Sequence, residues 1–171
     1  MLQGSFHKDS YNTPIKVDFK FKDILKTITV ILVIILFMYT GVSKLIEYNK
    51  FVFQMQRVPL PLIQNLAPTL GLAVPIIEIA LVTMLYFDKS RFMGLIGSLT
   101  LMVSFETYII WMKSLELQFG VRLPCTCGGI ISNMGWTEHL IFNAIFIILL
   151  ALSTYFEWTI RTQKRTKNFY K

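Results

Sequence analysis

The sequence predicts an all-α integral membrane protein, a four-helix bundle with both termini in the cytoplasm. The composition is 54% hydrophobic and only 16% charged, whereas a soluble domain of this length carries about 25% charged residues. Four apolar segments follow one another, and each has the roughly 20 residues that a helix needs to cross a bilayer. The 17 basic residues outnumber the 10 acidic ones, and their distribution over the connecting segments predicts the orientation.

The first span is predicted at residues 24–46, after a polar cytoplasmic or interfacial tail at residues 1–23. Lys26 and Lys44 lie near its two ends. The apolar run is too long and begins too late for the core of a signal peptide, and it lacks a small-x-small cleavage site. We therefore expect it to remain in the protein as a helix of the bundle.

The second span is predicted at residues 66–87, with Pro68 in its first turn and Pro75 kinking its interior. The preceding connection, residues 47–65, mixes aromatic residues with Gln and Arg, which is typical of a segment lying in the membrane interface. Pro59 and Pro61 argue against one long helix there. The sequence assigns this connection no functional role.

The third and fourth spans are predicted at residues 92–112 and 138–158. A tight turn at residues 88–91 precedes the third span, and a polar loop at residues 113–136 separates the two. A basic cytoplasmic tail follows at residues 159–171. Residues 24–158 thus form a single domain, for which the lipid bilayer is the first partner. Because basic and aromatic residues are not interleaved, no nucleic-acid partner is expected.

Basic residues are densest in the N-terminal tail, in the turn after the second span and in the C-terminal tail. The positive-inside rule places these three segments in the cytoplasm. The two longer connections then face outward. In a bacterium this predicts a multi-pass protein of the inner membrane whose polar loop at residues 113–136 is periplasmic, where disulfides persist.

Both cysteines of the chain, Cys125 and Cys127, lie in this polar loop and are separated by one residue. Gly128 and Gly129 supply the backbone freedom for a turn that brings the thiols together. A bridge across one residue should be strained and easily reduced, and it closes too short a loop to stabilise the fold much. A reversible redox pair is therefore predicted. Two inert thiols in a turn, or half of a metal site, are the alternatives; two thiolates fall short of the usual four zinc ligands, so no metal is assigned.

His139 and Asn143 lie four residues apart, on one face of the fourth helix. His139 follows the cysteine loop closely, so as an imidazolium it can lower a cysteine pKa or pass protons during thiol exchange. The alternative is an interfacial histidine that only hydrogen-bonds a neighbour.

Three further charged residues lie within predicted spans. Glu78 lies near the middle of the membrane, and an intramembrane carboxylate needs a partner or a proton. Lys44 is the nearest cationic candidate, although it lies closer to the outer end of its own helix. Glu106 is expected at a shallower depth, reaching the outer surface. These residues either lock helices together or form a proton path.

Three stretches of the chain resemble the DoxX-like superfamily, and most closely its MauE-like branch of redox-associated membrane proteins, particularly those of Bacteroidetes. They are residues 39–45 with Gly41 and Lys44, residues 74–78 with Pro75 and Glu78, and the segment from Cys125 to Gly129 followed by Trp136, His139 and Asn143. The resemblance covers about residues 24–156. It implies a four-helix bundle and a role in periplasmic disulfide metabolism, since the name-giving member is associated with maturation of a disulfide-rich periplasmic enzyme.

These observations favour a membrane thiol-disulfide redox protein in which Cys125 and Cys127 are catalytic and His139 assists them. It would exchange disulfides with a periplasmic thioredoxin-like or other disulfide-containing protein. If electrons leave through the membrane, a quinone is the natural acceptor, because the chain has no second cysteine pair; no quinone site is visible in the sequence. The alternative is a non-catalytic membrane subunit that anchors or assembles a larger envelope complex.

Overall fold

The computed structural model describes residues 14–58, 60–119 and 135–169, and the described residues form five α-helices. These are α1 (Pro14–Ile46), α2 (Tyr48–Gln56), α3 (Pro61–Tyr86), α4 (Arg91–Phe119) and α5 (Trp136–Phe169). Four of them contain segments long and apolar enough to cross a membrane: Phe21–Ile46, Pro61–Tyr86, Arg91–Gln118 and Thr137–Gln163. The predicted all-helical, four-span architecture is confirmed.

The four long helices form a closed bundle in which α1 and α4 each pack against both α3 and α5. Large apolar side chains such as Ile24, Ile35, Ile76 and Ile148 point outward, to the surface that lipid covers in a membrane protein. We call the end of the bundle that carries the α3–α4 turn, residues 87–90, the turn end. The loop end is the opposite one, where α4 ends at Phe119 and α5 begins at Trp136.

The connection between the first two spans is mostly helical, and it is not one long helix: α2 ends at Gln56 and α3 begins at Pro61. α2 follows α1 after a single residue, Glu47, and the backbone N–H of Phe51 still donates to the carbonyl of Glu47 at 2.9 Å. α3 then begins at Pro61 and not at residue 66, so Pro68 lies inside the helix and not in its first turn. The predicted boundaries were wrong because a proline in the first turn of a helix disturbs no hydrogen bond, and Pro61 occupies that place.

The other helices also extend beyond their apolar runs. α4 continues to Phe119, so the first residues of the predicted polar loop are helical. α5 begins at Trp136, close to the predicted start. Its first turn is closed by Glu138, whose carboxylate accepts a hydrogen bond from the backbone N–H of Gly135 at 3.0 Å, the reciprocal half of a capping box.

The turn-end half of the bundle is densely packed. Its apolar core joins all four long helices through Val33, Leu85, Leu95 and Leu150, which are inaccessible to solvent. Small residues permit close approach: a Cβ built on Gly94 would lie 3.0 Å from the backbone nitrogen of Leu85. In a membrane such packing replaces the hydrophobic effect as the main force between helices.

Ion pairs close the turn end. Lys26 of α1 and Arg161 of α5 both contact the carboxylate of Glu157, at 3.0 and 2.9 Å. Arg161 also donates to the backbone carbonyl of Asp88 in the α3–α4 turn at 3.4 Å. The network ties α1, α5 and the α3–α4 turn together where the apolar core ends.

Candidate functional site

A buried ion pair joins α1 to α3. The ammonium group of Lys44 donates a hydrogen bond to Oε1 of Glu78, and the two side chains are 5% and 1% exposed. The prediction that Glu78 faces the bundle interior is confirmed, and Lys44 is its partner. Two charges are retained at this depth although desolvating them is costly, which makes the pair a functional candidate.

The depths of the two residues match because of α2. Glu78 lies 17 residues after Pro61, so about 26 Å along α3 from its first residue at 1.5 Å per residue. Lys44 lies two residues before the end of α1, but α2 continues in the same hairpin and packs on the first turns of α3. The hydroxyl of Tyr48 donates to the carbonyl of Pro68 at 3.2 Å, which fixes this extension.

Gly41, which has no side chain, and Thr40 lie where α1 comes close to the carboxylate of Glu78. A Cβ built on Gly41 would lie 3.3 Å from Oε2 of Glu78, so a larger residue would press on the carboxylate. Thr40 also contacts Glu78, but its hydroxyl donates to the backbone carbonyl of Leu36 at 3.0 Å. Oε2 of Glu78 therefore has no hydrogen-bond donor among the described residues.

Two phenylalanine rings face the Lys44 ammonium. The nitrogen lies 5.0 Å from the ring centre of Phe105 and 5.9 Å from that of Phe51, within the range of cation–π attraction. In the described part of the chain, the hydrogen bond to Glu78 is the one that this ammonium makes, although it carries three donors. The ammonium group therefore has further N–H donors that a hydrogen-bond acceptor could use.

A second polar group joins α4 to α5 nearer the loop end. Glu106 forms a side-chain hydrogen bond with Asn143, and His139 lies close enough for electrostatic attraction. His139 and Asn143 share one face of α5, as predicted, and both are buried. Glu106 is half-buried and its Oε2 is buried; that it reaches the outer surface stays a prediction.

Both polar groups adjoin one cavity. It has a volume of about 190 Å³ and is lined by residues of all five helices, including Lys44, Glu78, His139 and Asn143. The rest of its wall is apolar and rich in aromatic rings: Phe37, Phe51, Phe105, Tyr108 and Phe142. The cavity lies in the loop-end half of the bundle, between the packed core and the two helix ends that flank the cysteine segment.

Four predicted polar residues thus gather around this cavity: Lys44, Glu78, His139 and Asn143, with Glu106 hydrogen-bonded to the last of them. Cys125 and Cys127 lie outside the described residues. Sequence reasoning missed the aromatic wall. Thr40 could have been found from the sequence, because it lies one helical turn before Lys44. Phe51 and Phe105 lie on other helices, so no sequence spacing relates them to Lys44.

Comparison with known proteins identifies a family. The family described as methylamine utilisation protein MauE matches residues 22–156 of the 171 residues. No curated protein and no solved structure matches the chain. The match includes the second and third apolar segments, most of the first and fourth, and the cysteine segment between α4 and α5. The chain is therefore a multi-pass membrane protein that belongs to the MauE family.

Proposed function

We propose that the protein is a membrane thiol-disulfide redox protein that acts in periplasmic disulfide exchange or in the maturation of envelope proteins. Cys125 and Cys127 are its redox pair. The observation that carries the proposal is the polar group of Glu106, His139 and Asn143 near the loop end of the bundle. It lies on the two helices that the cysteine segment connects, and thiol exchange needs nearby groups that accept and return protons.

The exchange reaction needs both cysteines. One thiolate attacks a partner's disulfide, forming a mixed disulfide and releasing one partner thiolate. The second cysteine attacks the mixed disulfide, which forms the Cys125–Cys127 bond and releases the second partner thiolate. The partner gains the two electrons that the pair loses, and the reverse sequence oxidises a partner. Membership in the MauE family supports this process, because the resemblance implies a role in periplasmic disulfide metabolism.

The proposal requires the inner membrane, cytoplasmic termini and a periplasmic cysteine segment. Reporter fusions after Ser90 should read cytoplasmic and fusions after Asn133 periplasmic, following the loop charges. A cytoplasmic result for the second fusion would contradict the proposal, because thiols are kept reduced in that compartment.

Trapping with single-cysteine variants tests the chemistry. One of the two variants, Cys125→Ser or Cys127→Ser, keeps the attacking thiol and lacks the resolving one. That variant should accumulate a mixed disulfide with a periplasmic thioredoxin-like or disulfide-containing protein. The adduct would appear on non-reducing gels and disappear with reductant. The double variant is the control. If neither variant forms an adduct and the double variant still supports assembly of the envelope partner, the protein is a non-catalytic subunit of a larger complex.

A further inference from the structure

We propose that the cavity in the loop-end half of the bundle binds the ring of a membrane quinone, which accepts the electrons of the cysteine pair. The redox part of this inference rests on the proposed function, whereas the binding part stands on the geometry of the cavity. Three properties of the site carry it: its size, the chemistry of its polar atoms and its net charge.

The cavity has room for one substituted six-membered ring. Its volume is about 190 Å³, and an apolar cavity of roughly 150 Å³ in another protein takes up a benzene ring. Aromatic side chains from four of the helices, including Phe37, Phe51, Phe105 and Phe142, form much of the wall. Such walls favour a flat ring through stacked and edge-on contacts. A larger folded ligand or a peptide would not fit.

The polar atoms suit a ligand that accepts hydrogen bonds when oxidised and donates them when reduced. Lys44 has ammonium hydrogens without an acceptor in the described part of the chain, and these can bond a quinone carbonyl. Oε2 of Glu78 is buried and lacks a donor among those residues, and it can accept from a quinol hydroxyl. A lipid acyl chain would satisfy neither atom.

The site also requires an uncharged ligand. Lys44 and Glu78 neutralise each other and are almost completely removed from solvent. A bound anion or cation would compete for one member of the pair and leave the other charge unpaired, which is expensive inside a membrane. Quinones and quinols are neutral and lipid-soluble, so they reach the site from the bilayer without this penalty.

The reaction balances without another reactant. The Cys125 and Cys127 thiols lose two protons and two electrons, two S–H bonds break, and one S–S bond forms. The quinone takes up both electrons and both protons, and its two carbonyl oxygens become the hydroxyl groups of a quinol. His139 and Asn143 line the cavity on the side where α5 leaves the cysteine segment. His139 is therefore the residue placed to pass these protons.

Binding is tested with decylubiquinone, whose fully substituted ring cannot be alkylated by thiols. The protein carries Cys125→Ser and Cys127→Ser, so that binding is measured without redox chemistry, by titration calorimetry in detergent. We expect saturable binding that weakens about tenfold or more when Lys44→Met and Glu78→Leu are added together, since a charge-assisted hydrogen bond is lost. Replacing both charges avoids a stranded charge and preserves folding.

Two further variants make the test specific. Lys26→Met with Glu157→Leu removes an ion pair at the turn end, outside the cavity, and should leave the affinity unchanged. Val74→Phe places a ring in the cavity and should weaken binding as the charge variant does. Absence of saturable binding, or equal affinities in the charge variant and its background, would overturn the inference.

A second assay separates the two proposals. The fully reduced wild-type protein is mixed with decylubiquinone without oxygen. Quinol formation should match the loss of two thiols per quinone and should disappear in the charge variant. If quinone binds with the expected specificity but the cysteines can be replaced without loss of partner assembly, the proposed function fails and the quinone site stands. If the thiols exchange with a partner and no quinone binds, the reverse holds.

Discussion

The ion pairs in the two halves of the bundle differ in their exposure to solvent. At the turn end, Lys26 and Arg161 share Glu157 where the helices leave the apolar core. Arg161 is 41% exposed, and Lys26 and Glu157 are 14% and 12% exposed. In the loop-end half, Lys44 and Glu78 are paired inside the bundle, with side chains at most 5% exposed. The first arrangement can be hydrated and exchanged for other surface contacts, whereas the second cannot.

Packing differs in the same way. The turn-end half has a continuous core with close helix contacts, as at Gly94. The loop-end half opens into a cavity of about 190 Å³ although large aromatic side chains surround it. A cavity of about 280 Å³ also lies at the turn end, beside Lys26, Leu85 and Arg91. Volume alone therefore does not distinguish the halves; the buried ion pair and the aromatic wall of the loop-end cavity do. The turn-end half holds the core that joins all four long helices, and the loop-end half holds the cavity for which we propose a ligand.

The largest effect is expected from breaking the buried pair one residue at a time. Lys44→Met or Glu78→Leu alone leaves an unpaired charge inside the bundle and should lower the free energy of unfolding by about 3–5 kcal/mol. The two replacements together should recover most of this loss. Reversible unfolding with denaturing detergent, analysed as a double-mutant cycle, measures the coupling.

The turn-end pair provides the matched control. Lys26→Met leaves Glu157 paired with Arg161 and should therefore cost less than breaking the Lys44–Glu78 pair, because no carboxylate is left unpaired. Its effect should also shrink with added salt, unlike that of the Lys44 variant. Additive effects of Lys44→Met and Glu78→Leu, or equal losses at both ends of the bundle, would contradict the comparison.

The sequence predicts the spans and the positions of the buried polar residues better than it predicts the contacts between them. Four long apolar runs dictate four spans, and the positions of Glu78, His139 and Asn143 within these runs already indicate buried polar groups. The boundaries of α2 and α3 could not be predicted because Pro61 begins a helix as readily as it ends one. The partner of Glu78 could be suggested but not placed, since α2 sets the register between α1 and α3. The cavity depends on side chains from all five helices and has no local signal.

Close packing at the turn end predicts an intermediate effect for Gly94→Ala. The new Cβ would lie 3.0 Å from the backbone nitrogen of Leu85 and 3.1 Å from the backbone carbon of Met84. Backbone atoms cannot turn aside, so α3 and α4 must separate, at a cost of about 1–3 kcal/mol. The same unfolding measurement applies.

Gly97→Ala serves as the comparison for this variant. Its Cβ would meet the side chain of Leu81, at 2.5 Å from Cδ2, and a leucine side chain can adopt another rotamer. The higher helix propensity of alanine, worth roughly 1 kcal/mol over glycine, offsets part of the cost. We therefore expect Gly97→Ala to be better tolerated. The reverse order would show that the turn-end contact between α3 and α4 is looser than its geometry indicates.

The smallest expected effect concerns the reactivity of the cysteines. The sequence predicts that His139 tunes them as an imidazolium, and in the structure His139 lies close to Glu106. On this prediction His139→Ala removes a positive charge and should slow alkylation of the reactive thiol, whereas Glu106→Gln removes a negative charge and should accelerate it. Each change should be about two- to fivefold, the size of a nearby charge effect at a helix terminus.

Alkylation is measured in detergent after mild reduction, at neutral pH, on single-cysteine variants so that each thiol is followed separately. Glu157→Gln is the matched control, because this carboxylate lies at the turn end and should not alter the rate. Opposite signs for the His139 and Glu106 variants would identify an electrostatic effect, since a general loosening of the loop end would change both rates in the same direction. Identical rates in wild type and His139→Ala would show that His139 does not tune the thiols. Among the described features, the N-terminal end of α5 would then be the one left that favours a thiolate in the cysteine segment. His139 would have no part in thiol reactivity and would act only as a residue that lines the cavity.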